Sequence, residues 1–200
     1  CFFYKLHIVL NNFKLRHICV FSIKKFMKSR KNIVFIGMMG SGKTSIGRLI
    51  SKKLKLDFFD VDNYIENKLN LRIAKIFKEK GEKFFREFEE KSTLEILKKS
   101  NIVISLGGGA FLNNKVRDEI LINHISFWLK WETNTIIKRI KNSQKRPLAS
   151  KLSKEQLMNL IKKRSNIYAK AMYTLKCDDL SKNEIINEIL KKYETKKTNN

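Results

Sequence analysis

The sequence predicts an α/β fold in which five parallel strands form one sheet and helices cover both of its faces. Short apolar segments of strand character alternate with amphipathic helical patterns along the chain, as a parallel sheet requires. One strand-to-helix junction, at residues 37–44, carries the pattern Gly-x-x-x-x-Gly-Lys-Thr of a phosphate-binding loop. With 200 residues, no internal repeat and no linker, the chain is expected to form a single domain.

Each predicted element follows from the spacing of its apolar residues, which differs between strands and helices. Gly81 is expected to separate two consecutive helices. A disordered tail is expected at residues 194–200. Strands are predicted at residues 33–36, 57–62, 102–106, 125–129 and 173–177, and helices at residues 46–54, 63–70, 71–80, 82–97, 116–122, 133–140, 155–172 and 182–192.

The loop at residues 37–44 has the composition that binding of a nucleoside triphosphate needs. Its glycines let successive backbone N–H groups approach an anion closely, and the helix that follows presents the positive end of its dipole. Lys43 is suited to neutralise the β- and γ-phosphates, and the Thr44 hydroxyl can ligate Mg²⁺. The alternative is an ordinary strand–turn–helix with a chance Gly-Lys pair.

Two acids, Asp60 and Asp62, end the second predicted strand. Alternation along a strand would place both side chains on the same side, at the carboxyl edge of the sheet. One acid is then expected to serve Mg²⁺ and the other the acceptor hydroxyl. The alternative is that an Asp simply caps the following helix.

Arg86 and the glycine run at residues 107–109 are candidates for an acceptor site. Glu89, three positions after Arg86, can hold its guanidinium in the orientation that suits a carboxylate substrate, although a plain surface ion pair has the same spacing. Three glycines after a buried strand indicate a close approach of backbone to a ligand, or else a flexible turn.

The polar segment at residues 141–150 contains Arg146 and the only proline of the chain, Pro147. We interpret it as an exposed loop that folds over the bound nucleotide as a lid.

Composition argues against several classes of function. The formal net charge is +24, but the basic residues are scattered, so we interpret them as a solvated lysine-rich surface rather than a nucleic-acid face. Cys1, Cys19 and Cys177 show no CxxC spacing, which fits a reducing compartment and argues against a zinc site. No apolar run approaches the roughly 20 residues of a membrane span.

The first 26 residues are expected to lie outside the catalytic domain. They contain five basic residues and no acid. We interpret them as an extension upstream of a functional start at Met27, which predicts a cytoplasmic protein. The alternative is a basic targeting peptide for a plastid or another organelle.

Taken in order, these motifs resemble the shikimate kinase family across residues 31–192. The resemblance rests on residues 36–47 around the phosphate loop, the Asp60/Asp62 pair, and Gly81-Glu82-x-x-Phe85-Arg86-x-x-Glu89. It also rests on the glycine run, on Arg146-Pro147-Leu148, and on Arg164 four residues before Tyr168.

The resemblance implies transfer of the ATP γ-phosphoryl group to the 3-hydroxyl of shikimate, in aromatic amino-acid biosynthesis. It implies the P-loop nucleoside monophosphate kinase-like three-layer fold, with a kinase domain at residues 27–193. Within that domain, a substrate-binding segment is expected at about 61–95 and a lid at about 141–155. The expected partner is shikimate alone, bound by a monomer without specific nucleic acid or membrane.

Site residues are implied in the same way. Lys43, Asp62 and Arg146 would be catalytic, and Thr44 and Asp60 would organise Mg²⁺. Shikimate would be held by Asp62, Arg86, Gly108, Gly109 and Arg164. ATP would be held by Gly40, Ser41, Gly42, Lys43, Thr44, Ser45, Arg139 and Arg146.

The chain departs from the family pattern after Arg164, where Ser165-Asn166-Ile167 lacks the usual proline and Lys170 replaces an acid. This change affects the expected aim of Arg164. Two alternative functions are a gluconate-type sugar-acid kinase and a non-catalytic, basic relative that binds nucleic acid.

Overall fold

The computed structural model of the chain describes residues 31–142 and 152–198. Strands and helices alternate along these residues, as predicted. In chain order the elements are β1 Ile33–Ile36, α1 Lys43–Leu54, β2 Asp57–Asp60, α2 Val61–Leu69, α3 Ile73–Leu97, β3 Ile102–Ser105, a short 3₁₀ helix Ala110–Leu112, α4 Asn114–Asn123, β4 Ile125–Lys130, α5 Thr133–Lys141, α6 Lys154–Tyr168, β5 Tyr173–Lys176 and α7 Lys182–Thr198.

The five strands form one parallel sheet in the order β2-β3-β1-β4-β5. β1 is the central strand, with Val34 in register with Ile104 of β3 and with Ser126 of β4. All four residues of β1 are buried, because helices cover both of its faces. The loops that follow β1 and β3 therefore leave the same edge of the sheet side by side.

Side chains of β1 alternate between two apolar cores. Ile33 and Phe35 belong to a core that includes residues of α1 and α7. Val34 and Ile36 belong to a larger core that includes residues of α3, α4, α5 and α6. The predicted three-layer arrangement, with helices on both faces, is confirmed.

The prediction that Asp60 and Asp62 lie on one side of a strand is wrong. β2 ends at Asp60, and α2 begins at Val61, so Asp62 lies in the first turn of a helix. The cause is local, because the Asp60 side chain accepts a hydrogen bond from the backbone N–H of Asn63 and caps α2.

Two predicted helix ends are also wrong. α6 stops at Tyr168 instead of residue 172, because the chain must turn into β5, and the N–H of Met172 already donates to the Ser126 hydroxyl. The last helix does not end at residue 192 but continues as far as Thr198, through most of the segment predicted to be a disordered tail (residues 194–200). No glycine or proline interrupts this segment, which is rich in Lys and Glu.

The predicted break at Gly81 is confirmed inside α3. Gly81 has φ +79° and ψ 170°, which are not helical angles, between two helical segments. Only glycine adopts this conformation without strain. The break places Glu82 at the start of the second segment, which carries Arg86 and Glu89.

Several predictions fall outside the described residues. The extension at residues 1–26, most of the lid at 141–155 including Arg146, and the end of the chain after Thr198 stay predictions. None of the helices within residues 31–142 and 152–198 has the length and apolar composition that crossing a membrane takes.

Asn32 joins several elements at the amino end of the sheet. Its fully buried amide donates to the carbonyls of Leu97 and Lys99, at 3.3 and 2.8 Å, and accepts from the N–H of Ile102 at 3.2 Å. Its own N–H donates to Nδ1 of His124 at 3.3 Å. These hydrogen bonds join the ends of several elements at the edge of the sheet opposite the phosphate loop.

Replacing Asn32 by Ala is expected to lower the free energy of unfolding by roughly 2–4 kcal/mol, because the Ile102 N–H and two carbonyls lose their partner inside the protein. Urea denaturation measures the change. Asn67→Ala, at an exposed position of α2, serves as the control and is expected to stay within about 0.5 kcal/mol of wild type. An equally small change for Asn32→Ala would contradict the assigned role.

Candidate active site

The phosphate loop between β1 and α1 depends on its glycines. Gly37, Gly40 and Gly42 have φ angles of +142°, +81° and +89°. A side chain at Gly37 would also come within 3.0 Å of the Leu129 carbonyl and of the Ser41 hydroxyl. The predicted anion-binding conformation of the loop therefore requires glycine for both angle and space.

Lys43, the first residue of α1, folds back over this loop. Its ammonium donates to the carbonyls of Gly37 and Met38, at 2.8 and 2.9 Å, and the side chain is buried. The Ser41 hydroxyl is buried and lacks a hydrogen-bond partner among the described residues. The loop thus gathers a cation and hydrogen-bonding groups around a small volume at the start of a helix. Ser45, the next predicted ATP residue, is exposed in the first turn of α1.

Thr44 and Asp60 meet at the carboxyl edge of the sheet. The Thr44 hydroxyl donates to Asp60 Oδ2 at 2.6 Å and lies 3.5 Å from the Ser105 hydroxyl. Asp60 therefore caps α2 with one oxygen, as the alternative expected, and faces Thr44 with the other, while its role in binding Mg²⁺ stays a prediction. Ser105 is a polar residue at the end of a buried strand, which is the signal that could have identified it.

Arg86 lies on α3 between two carboxylates. Its NH1 donates to Glu89 at 2.7 Å, and its Nε and NH2 both donate to Glu82 at 3.2 Å. Glu89 is buried, and the loss of solvation raises the pKa of its carboxyl, an effect that Arg86 partly offsets. Arg86 is half-buried, so this arrangement is more than a surface ion pair.

The glycine run after β3 makes room for charged side chains. A Cβ at Gly107 would stand 2.6 Å from both the Asp62 and the Glu89 carboxylates. A Cβ at Gly109 would overlap the guanidinium of Arg86. Close packing of backbone against charged groups therefore explains the run, rather than the flexibility of a turn.

Arg164 approaches the same glycines from α6. Its NH1 lies 3.3 Å from the position of a Cβ at Gly108 and 4.0 Å from the Met38 sulfur. Its Nε is buried and lacks a hydrogen-bond partner within the described ranges. Although the usual proline is missing, α6 runs unbroken to Tyr168, and Arg164 reaches the glycine run.

A cavity of about 470 Å³ lies between α3, α6 and the glycine run. Arg86, Glu89 and Arg164 face it together, and Glu89 accepts a hydrogen bond from Arg86. Its remaining lining residues are Glu82, Glu90, Gly109, Ala110, Leu112, Asn113, Leu160, Lys163 and Ile167. The structure thus brings together Asp62, Arg86, Gly108, Gly109 and Arg164, which the sequence predicted as one acceptor site.

Arg139 stands on the other side of the phosphate loop. Its guanidinium lies 3.7 Å from the ring centroid of Trp131, and its NH1 is 3.4 Å from the Gly40 carbonyl. Trp131 was not among the predicted residues. Its contact with the loop spans 90 positions of sequence, so no local pattern indicates it.

Within residues 31–142 and 152–198 there is no cluster of three or more His, Cys, Asp or Glu side chains that could hold a metal ion by themselves. The oxygens of Thr44 and Asp60 are suited to a hard cation that is also bound by phosphate and water.

Comparisons with known proteins give one consistent result. The family model for shikimate kinase matches residues 39–194. A shikimate kinase of Sulfurihydrogenibium sp. is 38% identical over 162 residues, which cover 81% of this chain and 97% of that protein. Among solved structures, shikimate kinase from Acinetobacter baumannii in complex with shikimate has a TM-score of 0.78 at 28% identity, covering 86% of this chain and 98% of that one. Shikimate kinase from Aquifex aeolicus has a TM-score of 0.72 at 30% identity, covering 84% and 99%.

Tyr168 provides a test of how tightly this site is packed. Its hydroxyl donates to the Gly108 carbonyl, and burial raises the pKa of Tyr168 to about 12 from an ordinary value of 10.0. Between these values the unfolded chain loses the phenolic proton and the folded chain keeps it. The contribution of the hydroxyl to stability is therefore complete below pH 10 and is lost as the pH rises to about 12.

Accordingly, Tyr168→Phe is expected to be less stable than wild type at pH 8, and between pH 9.5 and 12 the difference should shift by roughly 2–3 kcal/mol in favour of the variant. Urea denaturation at each pH measures both chains, so the shared effect of lysine deprotonation cancels. A difference that stays constant across this range would show that the phenol is not held as the structure has it.

Proposed function

The chain belongs to the shikimate kinase family, and from this membership we propose that it transfers the γ-phosphoryl group of ATP to the 3-hydroxyl of shikimate. The products are shikimate 3-phosphate and ADP. The observation that carries the proposal is the convergence of Arg86 and Arg164 on one cavity beside the phosphate loop. Two guanidinium groups suit an acceptor that is itself a carboxylate.

On the donor side, Lys43 and the backbone N–H groups of residues 40–45 would bind the triphosphate. The Lys43 ammonium already lies against the loop, so it needs little movement to reach the β- and γ-phosphates. Arg139, held next to Gly40, would lie against the adenine. Arg146 lies outside the described residues, and its role at the transferring phosphates stays a prediction.

Thr44 and Asp60 would hold Mg²⁺. A hydroxyl and a carboxylate that already meet at 2.6 Å would supply two oxygen ligands to the ion, and waters and phosphate oxygens would supply the others. When bound, the ion neutralises charge on the phosphates.

On the acceptor side, Arg86 and Arg164 would bind the carboxylate of shikimate, and Gly108 and Gly109 would lie against its ring. The buried, unpartnered Nε of Arg164 gives this arginine hydrogen-bonding capacity for an arriving oxygen. Asp62, beside Gly107 and close to Glu89, would accept hydrogen bonds from the ring hydroxyls.

In the reaction, the 3-hydroxyl oxygen forms a bond to the γ-phosphorus while the bond from that phosphorus to the bridging oxygen of ADP breaks. ADP takes the electron pair, and the Asp62 carboxylate would receive the hydroxyl proton. The chain contributes mainly alignment and positive charge, since phosphoryl transfer needs little strong base.

We further propose that the enzyme acts in the cytoplasm as a monomer, with small molecules as its only partners. Cys177 is a buried free thiol, and burial raises its pKa to about 12, which fits an unreactive core position. If residues 1–26 are a targeting peptide, the enzyme would act in an organelle instead of the cytoplasm, with the same proposed active site.

A coupled assay of ADP release tests the proposed function. ADP release is expected to require shikimate and to be lost in Lys43→Ala, which removes the charge at the phosphates. Turnover with gluconate and none with shikimate would instead favour a sugar-acid kinase. ATP-independent, salt-sensitive binding of RNA or DNA without turnover would favour the nucleic-acid alternative. The family match supports neither alternative.

Arg164→Lys is expected to weaken shikimate binding on the order of 10-fold and to leave ATP binding within about twofold, because a lysine cannot reproduce the two-pronged contact with a carboxylate. Calorimetric titration with each ligand measures both effects. Lys162→Gln, an exposed position on the same helix, is the control. Unchanged shikimate affinity would show that the altered sequence after Arg164 has removed this arginine from the site.

A further inference from the structure

We propose that Trp131 is a positioning residue for the nucleotide, which holds both the outer side of the phosphate loop and the side chain of Arg139. The inference rests on the proposed function, because it takes the loop to be the ATP site. It assigns a role to a residue that no motif of the chain contains.

The first contact is a hydrogen bond to the loop backbone. Trp131 Nε1 donates to the Ser41 carbonyl at 2.9 Å. In a trans peptide, the carbonyl and the N–H of the next residue point in opposite directions. By fixing the Ser41 carbonyl outward, Trp131 turns the Gly42 N–H toward the inside of the loop, where an anion binds.

The second contact is with Arg139. Its guanidinium lies 3.7 Å from the centroid of the Trp131 ring, a close cation–π contact. The same guanidinium donates to the Gly40 carbonyl at 3.4 Å. Two successive carbonyls of the loop, those of Gly40 and Ser41, are thus held from one side by a stacked pair of side chains.

This support matters because Gly40 and Gly42, on either side of Ser41, have no side chains that restrain their backbone. Gly40 and Gly42 adopt φ angles of +81° and +89°, and glycine reaches many other conformations at little cost. The contacts from Trp131 and Arg139 therefore add to the hydrogen bonds within the loop, such as that from the Ser41 N–H to the Met38 carbonyl at 3.1 Å, in selecting the conformation that binds phosphate.

Trp131 is itself held in place by neighbouring elements of the fold. It directly follows β4, which pairs with β1 and β5, and it packs against both apolar cores. Asp178 accepts hydrogen bonds from the Glu132 N–H at 2.8 Å and from the Thr135 hydroxyl at 3.1 Å, which fixes the start of α5. α5 carries Arg139, so both members of the stacked pair are anchored.

A packing role alone would need only the ring, whereas the proposed role also needs the indole N–H. Trp131→Phe keeps an aromatic ring and loses the N–H, and Trp131→Leu loses both. A tryptophan analogue at position 131 with sulfur in place of the N–H has nearly the same shape as tryptophan but cannot donate the hydrogen bond to the Ser41 carbonyl.

ADP and shikimate titrations by calorimetry test the proposal without requiring turnover. Trp131→Phe and the sulfur analogue are expected to bind ADP about 3- to 10-fold more weakly, the effect of one lost hydrogen bond. Trp131→Leu is expected to be weaker still, and shikimate affinity should stay within about twofold in all three.

The proposal is overturned if the sulfur analogue binds ADP as wild type does, or if ADP and shikimate affinities fall together as in a general loosening of the fold. Failure of the proposed function can be told apart from failure of this proposal. If the wild-type chain binds ADP but does not phosphorylate shikimate, the ADP affinities of wild type and the Trp131 variants can still be compared.

Discussion

The acceptor side of the site depends on the absence of side chains at residues 107–109. Two carboxylates and two guanidinium groups approach this backbone closely enough that even a methyl group at Gly107 or Gly109 would displace one of them. Charged groups seldom pack against backbone inside a protein unless they pair with one another. Here the pairing of Arg86 with Glu89 and the bare glycine backbone together make such packing possible.

The donor and acceptor sides meet because of the parallel sheet. β1 and β3 are neighbours, so the phosphate loop and the glycine run leave adjacent strands at the same edge. Met38 and Tyr168 connect the two sides directly, since the Tyr168 hydroxyl contacts both the Met38 sulfur and the Gly108 carbonyl. Side chains separated by more than a hundred residues in sequence thereby form one continuous surface.

Local signals in the sequence predict the fold, whereas Arg139 and Arg164 enter the candidate site only through the family resemblance. The phosphate loop and the break at Gly81 are determined by backbone conformations that glycine alone adopts easily. The alternation of residues 57–62 predicts a strand that includes Asp62, but the same residues also allow Asp60 to cap a helix. Periodicity alone does not show which of these two conformations is more stable. Trp131 has no such signal, since its contact with the loop joins residues 90 positions apart in the sequence.

The distribution of charge in this protein has a consequence for how it meets its ligands. The chain has a formal charge of +24, yet Arg86 and Arg164, which line the cavity, have the carboxylates of Asp62 and Glu89 close by. Long-range attraction of an anion therefore comes from surface lysines, which dissolved ions screen beyond a Debye length of about 8 Å at physiological ionic strength. In the proposed function, the contacts that hold the bound anion come from partly buried guanidinium groups, whose charges dissolved ions screen less. Ionic strength should thus change the rate at which an anionic acceptor arrives far more than the time for which it stays bound.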